Sequence, residues 1–113
     1  CELSPLNLRF LARTNRGYYV YSDSFDDGCT WSEAKEYEKA PGSRCFFGKL
    51  GNGTVAYVRN VSDTQRNGMK ICISTDGGSM FAYEMVLDDR INLSYPDLDE
   101  DESGNIYIIY HSG

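Results

Sequence analysis

The chain has 113 residues and a formal net charge of −6 at pH 7; its acidic excess lies at Asp23, Asp26 and Asp27 and in the run from Asp97 to Glu102, while its basic residues are scattered singly. That balance argues against nucleic acid as a partner, because such binding needs a basic patch. No apolar run reaches the length of a membrane-spanning helix, and four cysteines at positions 1, 29, 45 and 72 with the single histidine His111 show neither the C-x-x-C nor the histidine spacing of a structural zinc site.

In chain order, period-two alternation of Tyr, Val, Ile and Phe predicts strands at about 7–14, 18–24, 33–38, 45–50, 54–60, 69–75, 83–88, 96–101 and 105–111. No window carries a helical period. Gly, Asn and Ser mark the joints at Asn15-Arg16-Gly17, Gly51-Asn52-Gly53, Arg66-Asn67-Gly68 and Ser103-Gly104-Asn105. Directly after the second strand comes the octet Ser24-Phe25-Asp26-Asp27-Gly28-Cys29-Thr30-Trp31. It recurs fifty positions later, after the sixth strand, as Ser74-Thr75-Asp76-Gly77-Gly78-Ser79-Met80-Phe81. Ser and Asp side chains bond backbone N–H groups a few residues on, Gly28 and Gly78 permit a positive φ, and the closing aromatic, Trp31 or Phe81, is expected to fold back as an apolar plug. The octet is a structural turn.

A fifty-residue period with strand alternation is the size of one four-stranded propeller blade. The expected architecture is therefore all-β, a partial six-bladed β-propeller of antiparallel four-stranded sheets, divided into blade parts at 1–41, 42–92 and 93–113. Residues 45–89 form one complete blade in this reading, 7–38 supply the last three strands of the blade before it, and 96–111 open the next. Blades bury their faces only against neighbouring blades, and two cannot close a ring, so the chain reads as a fragment of a larger propeller. Aligning the inner strands through Gly53 and Gly104 puts Arg44 and Tyr95 in equivalent places at the strand entries that face a central funnel, where propellers gather ligands.

Three other patterns carry less. The sequons at Asn52, Asn60 and Asn92 outnumber chance expectation, yet Asn52-Gly53 also reads as a two-residue hairpin turn with positive φ at both places. Cys72, inside Met69-Lys70-Ile71-Cys72-Ile73, reads as a buried small hydrophobe; the cysteines leave a disulfide and the compartment open. Asp99 to Tyr110 imitates a calcium loop at several positions, but Tyr110 stands where a bidentate Glu is required and the alternation from Ile106 to Tyr110 is that of a strand. No metal and no cofactor are implied.

The repeated S-x-D-x-G boxes at blade spacing resemble the Asp-box, or BNR, repeat of the sialidase (neuraminidase) superfamily. In the first blade, Leu11-Ala12-Arg13-Thr14-Asn15-Arg16-Gly17 resembles the segment of one substrate-binding arginine. Ser62-Asp63-Thr64-Gln65-Arg66-Asn67-Gly68 resembles that of the third triad arginine. Leu93-Ser94-Tyr95-Pro96-Asp97-Leu98, with Ser103-Gly104 and the apolar strand after it, resembles the nucleophile segment. The resemblance runs nearly end to end and implies part of a catalytic domain of a hydrolase acting on sialylated glycans. It assigns Tyr95 as nucleophile, Arg66 and Arg13 as carboxylate clamps with Arg44 in reserve, and Ser24, Asp26, Gly28, Trp31, Ser74, Asp76, Gly78 and Phe81 to structural boxes. Arg16, Arg59 and Arg90 are expected to be surface charges. Pro96 stands where the family usually has Ser, which opens the alternative of another sugar substrate; a non-catalytic Asp-box propeller that binds glycans or proteins is the rival from a different class. The family's acid/base Asp and the Glu partner of its tyrosine match no residue here, Glu2 lying too near the first strand to serve.

The chemistry explains the residue types. A sialic acid carries a carboxylate on its anomeric carbon, so a carboxylate nucleophile would approach against like charge, whereas a neutral phenol would not. A phenol ionises near pH 10 and needs a neighbouring base to react at neutral pH. The planar substrate carboxylate matches the forked donors of guanidinium, hence arginines and not lysines.

Overall fold

In the computed structural model, which describes residues 1–113, ten strands and no helix form three antiparallel sheets. The first holds β1 (Glu2–Ser4), β2 (Asn7–Ala12), β3 (Tyr18–Ser24) and β4 (Lys35–Lys39) in sequential order. The second holds β5 (Phe46–Lys49), β6 (Val55–Arg59), β7 (Met69–Ser74) and β8 (Tyr83–Asp88), also sequential. The third is the hairpin β9 (Leu93–Glu100) and β10 (Ile106–Ser112). All-β, meandering and not closed, the chain is a partial propeller.

Several expectations need correction. The first sheet has four strands, because Glu2 and Ser4 pair with Leu8 and Asn7 ahead of the predicted start; three residues are too short to alternate visibly. The strand expected at 96–101 begins three residues earlier, so Tyr95 lies inside β9 and not at its entry. The Asn52-Gly53 turn has positive φ only at Gly53, φ 88°. It is a three-residue loop in which Gly53 N–H donates to Leu50 O (2.9 Å) and Leu50 N–H to Thr54 O (2.7 Å), leaving only its last residue left-handed.

The boxes form the same turn twice. Ser24 Oγ donates to Asp26 Oδ1 (2.8 Å) and accepts from Gly28 N–H (2.8 Å), while Asp26 Oδ1 accepts from Thr30 N–H (2.8 Å). In the second box the matching bonds join Ser74 to Asp76 (2.7 Å), Gly78 N–H to Ser74 (2.9 Å) and Met80 N–H to Asp76 (2.9 Å). Both serines are buried. The closing aromatics differ: Phe81 packs on Tyr57 and Phe47 with ring centroids 5.8 and 6.3 Å away, but Trp31 is 47% exposed and bonds back to Gly28 O, so it does not plug a core.

Cores lie between sheets. Tyr19, Ala40, Tyr57 and Cys72 join the first sheet to the second, with Tyr37 and Phe47 against them; Leu50, Ala56, Val58, Met69, Ile71 and Leu93 join the second to the third. Tyr57 meets Tyr19, Tyr37 and Phe47 edge-on at 6.4, 5.9 and 6.0 Å, each such pair adding about 0.5–1.5 kcal/mol beyond area burial. Above them sits Arg59, which is fully buried and not a surface charge. Its five N–H groups reach Asn60 O, Glu38 Oε1, Lys39 O, Ser62 O and Asp63 Oδ1 at 2.7–3.1 Å. An arginine ending a strand ordinarily faces water; this one crosses the seam because loop carbonyls of both sheets converge there. Arg16 is exposed and Arg90 pairs with Asp88 at the surface.

Candidate functional site

In a meander, loops after even-numbered strands share one end of the sheets and loops after odd-numbered strands share the other. The β2–β3 loop with Arg13, the β6–β7 loop with Arg66, the linker before β5 with Arg44 and the start of β9 with Tyr95 therefore stand at one end. Both Asp boxes, following β3 and β7, stand at the opposite end.

The β6–β7 loop is tied to β9 by bonds no pattern in the sequence announces. Leu93 N–H donates to Arg66 O (2.7 Å) and Gly68 N–H to Arg90 O (2.8 Å). Asn60, wholly buried, donates through Nδ2 to both Gly68 O and Leu93 O at 2.8 Å. Its sequon is thus sealed in the fold. Arg66 itself reaches Gly42 O with Nη2 at 3.2 Å. On the β2–β3 loop, Thr14 Oγ1 donates to Tyr18 O (2.6 Å) and accepts from Arg16 N–H (3.1 Å), which bends the chain directly behind Arg13.

Tyr95 sits on a bulge. In the β9–β10 ladder Asp97 opposes Ile109 and Ser94 opposes His111, so Tyr95 and Pro96 together face the single residue Tyr110. Pro96 suits the place because it has no N–H to contribute to a ladder. Tyr95 takes φ 56°, a left-handed conformation that a bulky side chain adopts only at an expense of about 1–3 kcal/mol. Bulges commonly re-aim a side chain beside a site. Here the phenol is turned to the two loops: the Arg66 Cζ lies 5.2 Å and the Arg13 Cζ 5.9 Å from its ring centroid. The Arg66 guanidinium first, and Arg13 second, hold the Tyr95 phenol below its ordinary value. Tyr95 is 36% exposed.

Arg44 joins this group through an open cleft of about 430 Å³ that it lines with Tyr95, Asp97, His111, Phe46 and Phe47. A second recess is shared by Arg44 and Arg13. Beside the cleft the Cys45 thiol is pushed up to about 12 by burial, which keeps it protonated and inert. Glu2 is exposed in β1, where it pairs with Leu8. Sequence reasoning did not single out His111 or Asp97. Extending the pairing of the last hairpin back from a turn centred on Ser103 brings residue 111 beside 95, one place from its observed partner Ser94, a signal that could have found the histidine.

The imitation of a calcium loop is a hairpin. Asp101 accepts from Ser103 N–H, Asn105 N–H, Asn105 Nδ2 and the Tyr107 hydroxyl at 2.9–3.1 Å, closing the β9–β10 turn.

What the site can do follows from charge. Two guanidiniums over one exposed phenol set forked, positively charged donors beside an oxygen whose acidity they raise. Among family descriptions, that of the BNR repeat-like domain matches residues 2–108, nearly the whole chain. No curated protein matches the chain.

Proposed function

Because the chain belongs to the BNR repeat-like domain family, we propose that Tyr95, Arg66 and Arg13 serve a sialidase-like glycoside hydrolase that releases terminal sialic acid with retention of configuration. The supporting observation is the convergence of guanidiniums from two sheets on the phenol of a third, at 5.2 and 5.9 Å. Arg66 and Arg13 hold the substrate carboxylate, with Arg44 beside them in the cleft. Tyr95 Oη attacks the anomeric carbon as the glycosidic C–O bond breaks. Its proton passes to a base, and the leaving oxygen takes a proton from an acid; the resemblance assigns both of these to carboxylates on other parts of the propeller. Water then cleaves the tyrosyl intermediate. The guanidiniums favour the phenolate over the phenol, so the same charges that bind the substrate assist the nucleophile.

Pro96, buried in the bulge where the family usually has Ser, favours as a second reading a relative of these hydrolases acting on another acidic sugar. One experiment addresses both. In the intact protein, offered a fluorogenic α-sialoside and a fluorogenic uronide in parallel, Tyr95→Phe removes the attacking oxygen with little volume, so turnover of the accepted substrate falls by orders of magnitude while binding is largely kept. A Tyr95→Phe protein that still turns over at near-normal rate would remove Tyr95 as the nucleophile, and a wild type that binds both substrates but turns over neither would sink the hydrolase reading and leave a glycan-binding propeller.

A further inference from the structure

The ring of Tyr95 is exposed at a bulge, and the two guanidiniums on its face are the ends of long side chains on loops. Arg66 is tied through Nη2 to Gly42 O (3.2 Å) and Arg13 is exposed, so both meet the ring from loops and not from a strand. The group that meets it from a strand is His111 on β10, whose imidazole stands edge-on at 5.6 Å between centroids and 83° between planes. His111 is itself placed by the ladder, paired with Ser94, and the chain just beyond it is held by Gly113 N–H donating to Asn92 O at 3.0 Å. A bulge that gives Tyr95 its unusual direction also removes its ladder partner, and the imidazole from across the hairpin fills that gap.

We propose that His111 is a positioning residue for Tyr95: its ring, supplied by β10 across the bulge, keeps the phenol facing Arg66 and Arg13. The functional consequence rests on the reading of Tyr95 as the reacting group; the geometry does not. Several charged or titratable groups face the pair: Arg13 and Arg66 from the loops, Arg44 and Cys45 from the linker before β5, and Asp97 on β9. The phenol's acidity therefore reports where the ring is. Close to the guanidiniums it ionises below the ordinary value, as its surroundings already indicate; swung into water it returns toward about 10.

The test uses the intact protein labelled with 13C at tyrosine Cζ, the Tyr95 signal being assigned by its loss in Tyr95→Phe. Its pH midpoint is compared in the wild type, His111→Ala and His111→Phe. The Ala variant should raise the midpoint toward about 10. The Phe variant, which keeps a ring and cannot carry charge, should restore the wild-type midpoint. An unmoved midpoint in His111→Ala, or an equal rise in both variants, overturns the proposal, the second because it would trace the effect to imidazole polarity and not to the ring. A measurement free of variants at His111 stands beside it: through-space contacts between the His111 and Tyr95 ring protons are expected in the wild type, and their absence also overturns it. None of these readouts uses sialic acid, so failure here leaves the hydrolase reading to its own experiment.

Discussion

Arg59 is the single side chain on which the seam between the first two sheets depends most. All five of its donors are used, and removing it leaves Glu38, which also accepts from the Tyr57 hydroxyl at 2.6 Å, and three backbone carbonyls without their partner. Breaking a buried pair from one side costs about 3–5 kcal/mol; Glu38 and Asp63 are part-exposed and water relieves them, so Arg59→Met should lie near the lower end. Denaturant unfolding of the intact protein measures this, and a loss under about 1 kcal/mol would show the network to be ornamental. Single residues were also where sequence reading reached its limit. Arg13, Arg66 and Tyr95 were legible because local motifs surround them. Arg59, Asn60 and His111 were not, because each meets a residue from another strand or sheet, and a one-dimensional pattern carries no trace of which carbonyls will converge on a guanidinium.

Strands and turns were far more legible, since alternation and glycine act locally. The order of all three sheets follows from it, and so does the repetition of the box. The misplaced strand ends have one cause: pairing, not propensity, sets them. β1 exists because Asn7 and Leu8 offer it a ladder, and β9 starts early because Ser94 finds His111. The boxes offer a check on whether their role is local. Ser74→Ala strands the buried N–H of Gly78, so stability should fall by about 1–2 kcal/mol while the phenol titration of Tyr95, at the opposite end of the sheets, stays unchanged. Should the titration shift while the melting temperature holds, the boxes are coupled to the site. Acid gives a second handle. Thr30 hydroxyl and backbone, then Ser24, hold the Asp26 carboxyl down at about 2. A depressed carboxylate stabilises the fold above its ordinary value and loses that contribution as pH falls toward the folded one. The first box should therefore weaken between about pH 4 and pH 2, and Asp26→Asn should flatten the stability profile in that window.

At the scale of the whole molecule, the three sheets bury surface only where they meet one another. Two seams are filled: one by the tyrosine cluster and Arg59, the other by Val58, Met69, Ile71 and Leu93. Outside them the apolar side chains have no cover. Met85 and Val86 on β8 are 60% and 55% exposed, and Ile109 on β10 is 72% exposed. β10 also presents one side of its backbone to no strand. A sheet in this condition behaves as a repeat without its cap: it pairs with whatever edge it meets, and its stability is a sum of seams and not one cooperative unit. Residues 1–113 produced in isolation should therefore self-associate, or melt over a broad range with the aromatic seam outlasting the β9–β10 hairpin. Sedimentation and a thermal melt followed at two wavelengths, one for strand and one for tyrosine, read both outcomes. A monomer with a single sharp transition, coincident in the two signals, would show that two seams suffice and that the exposed faces need no further blade; it would remove the argument for a larger propeller while leaving the arrangement around Tyr95 intact.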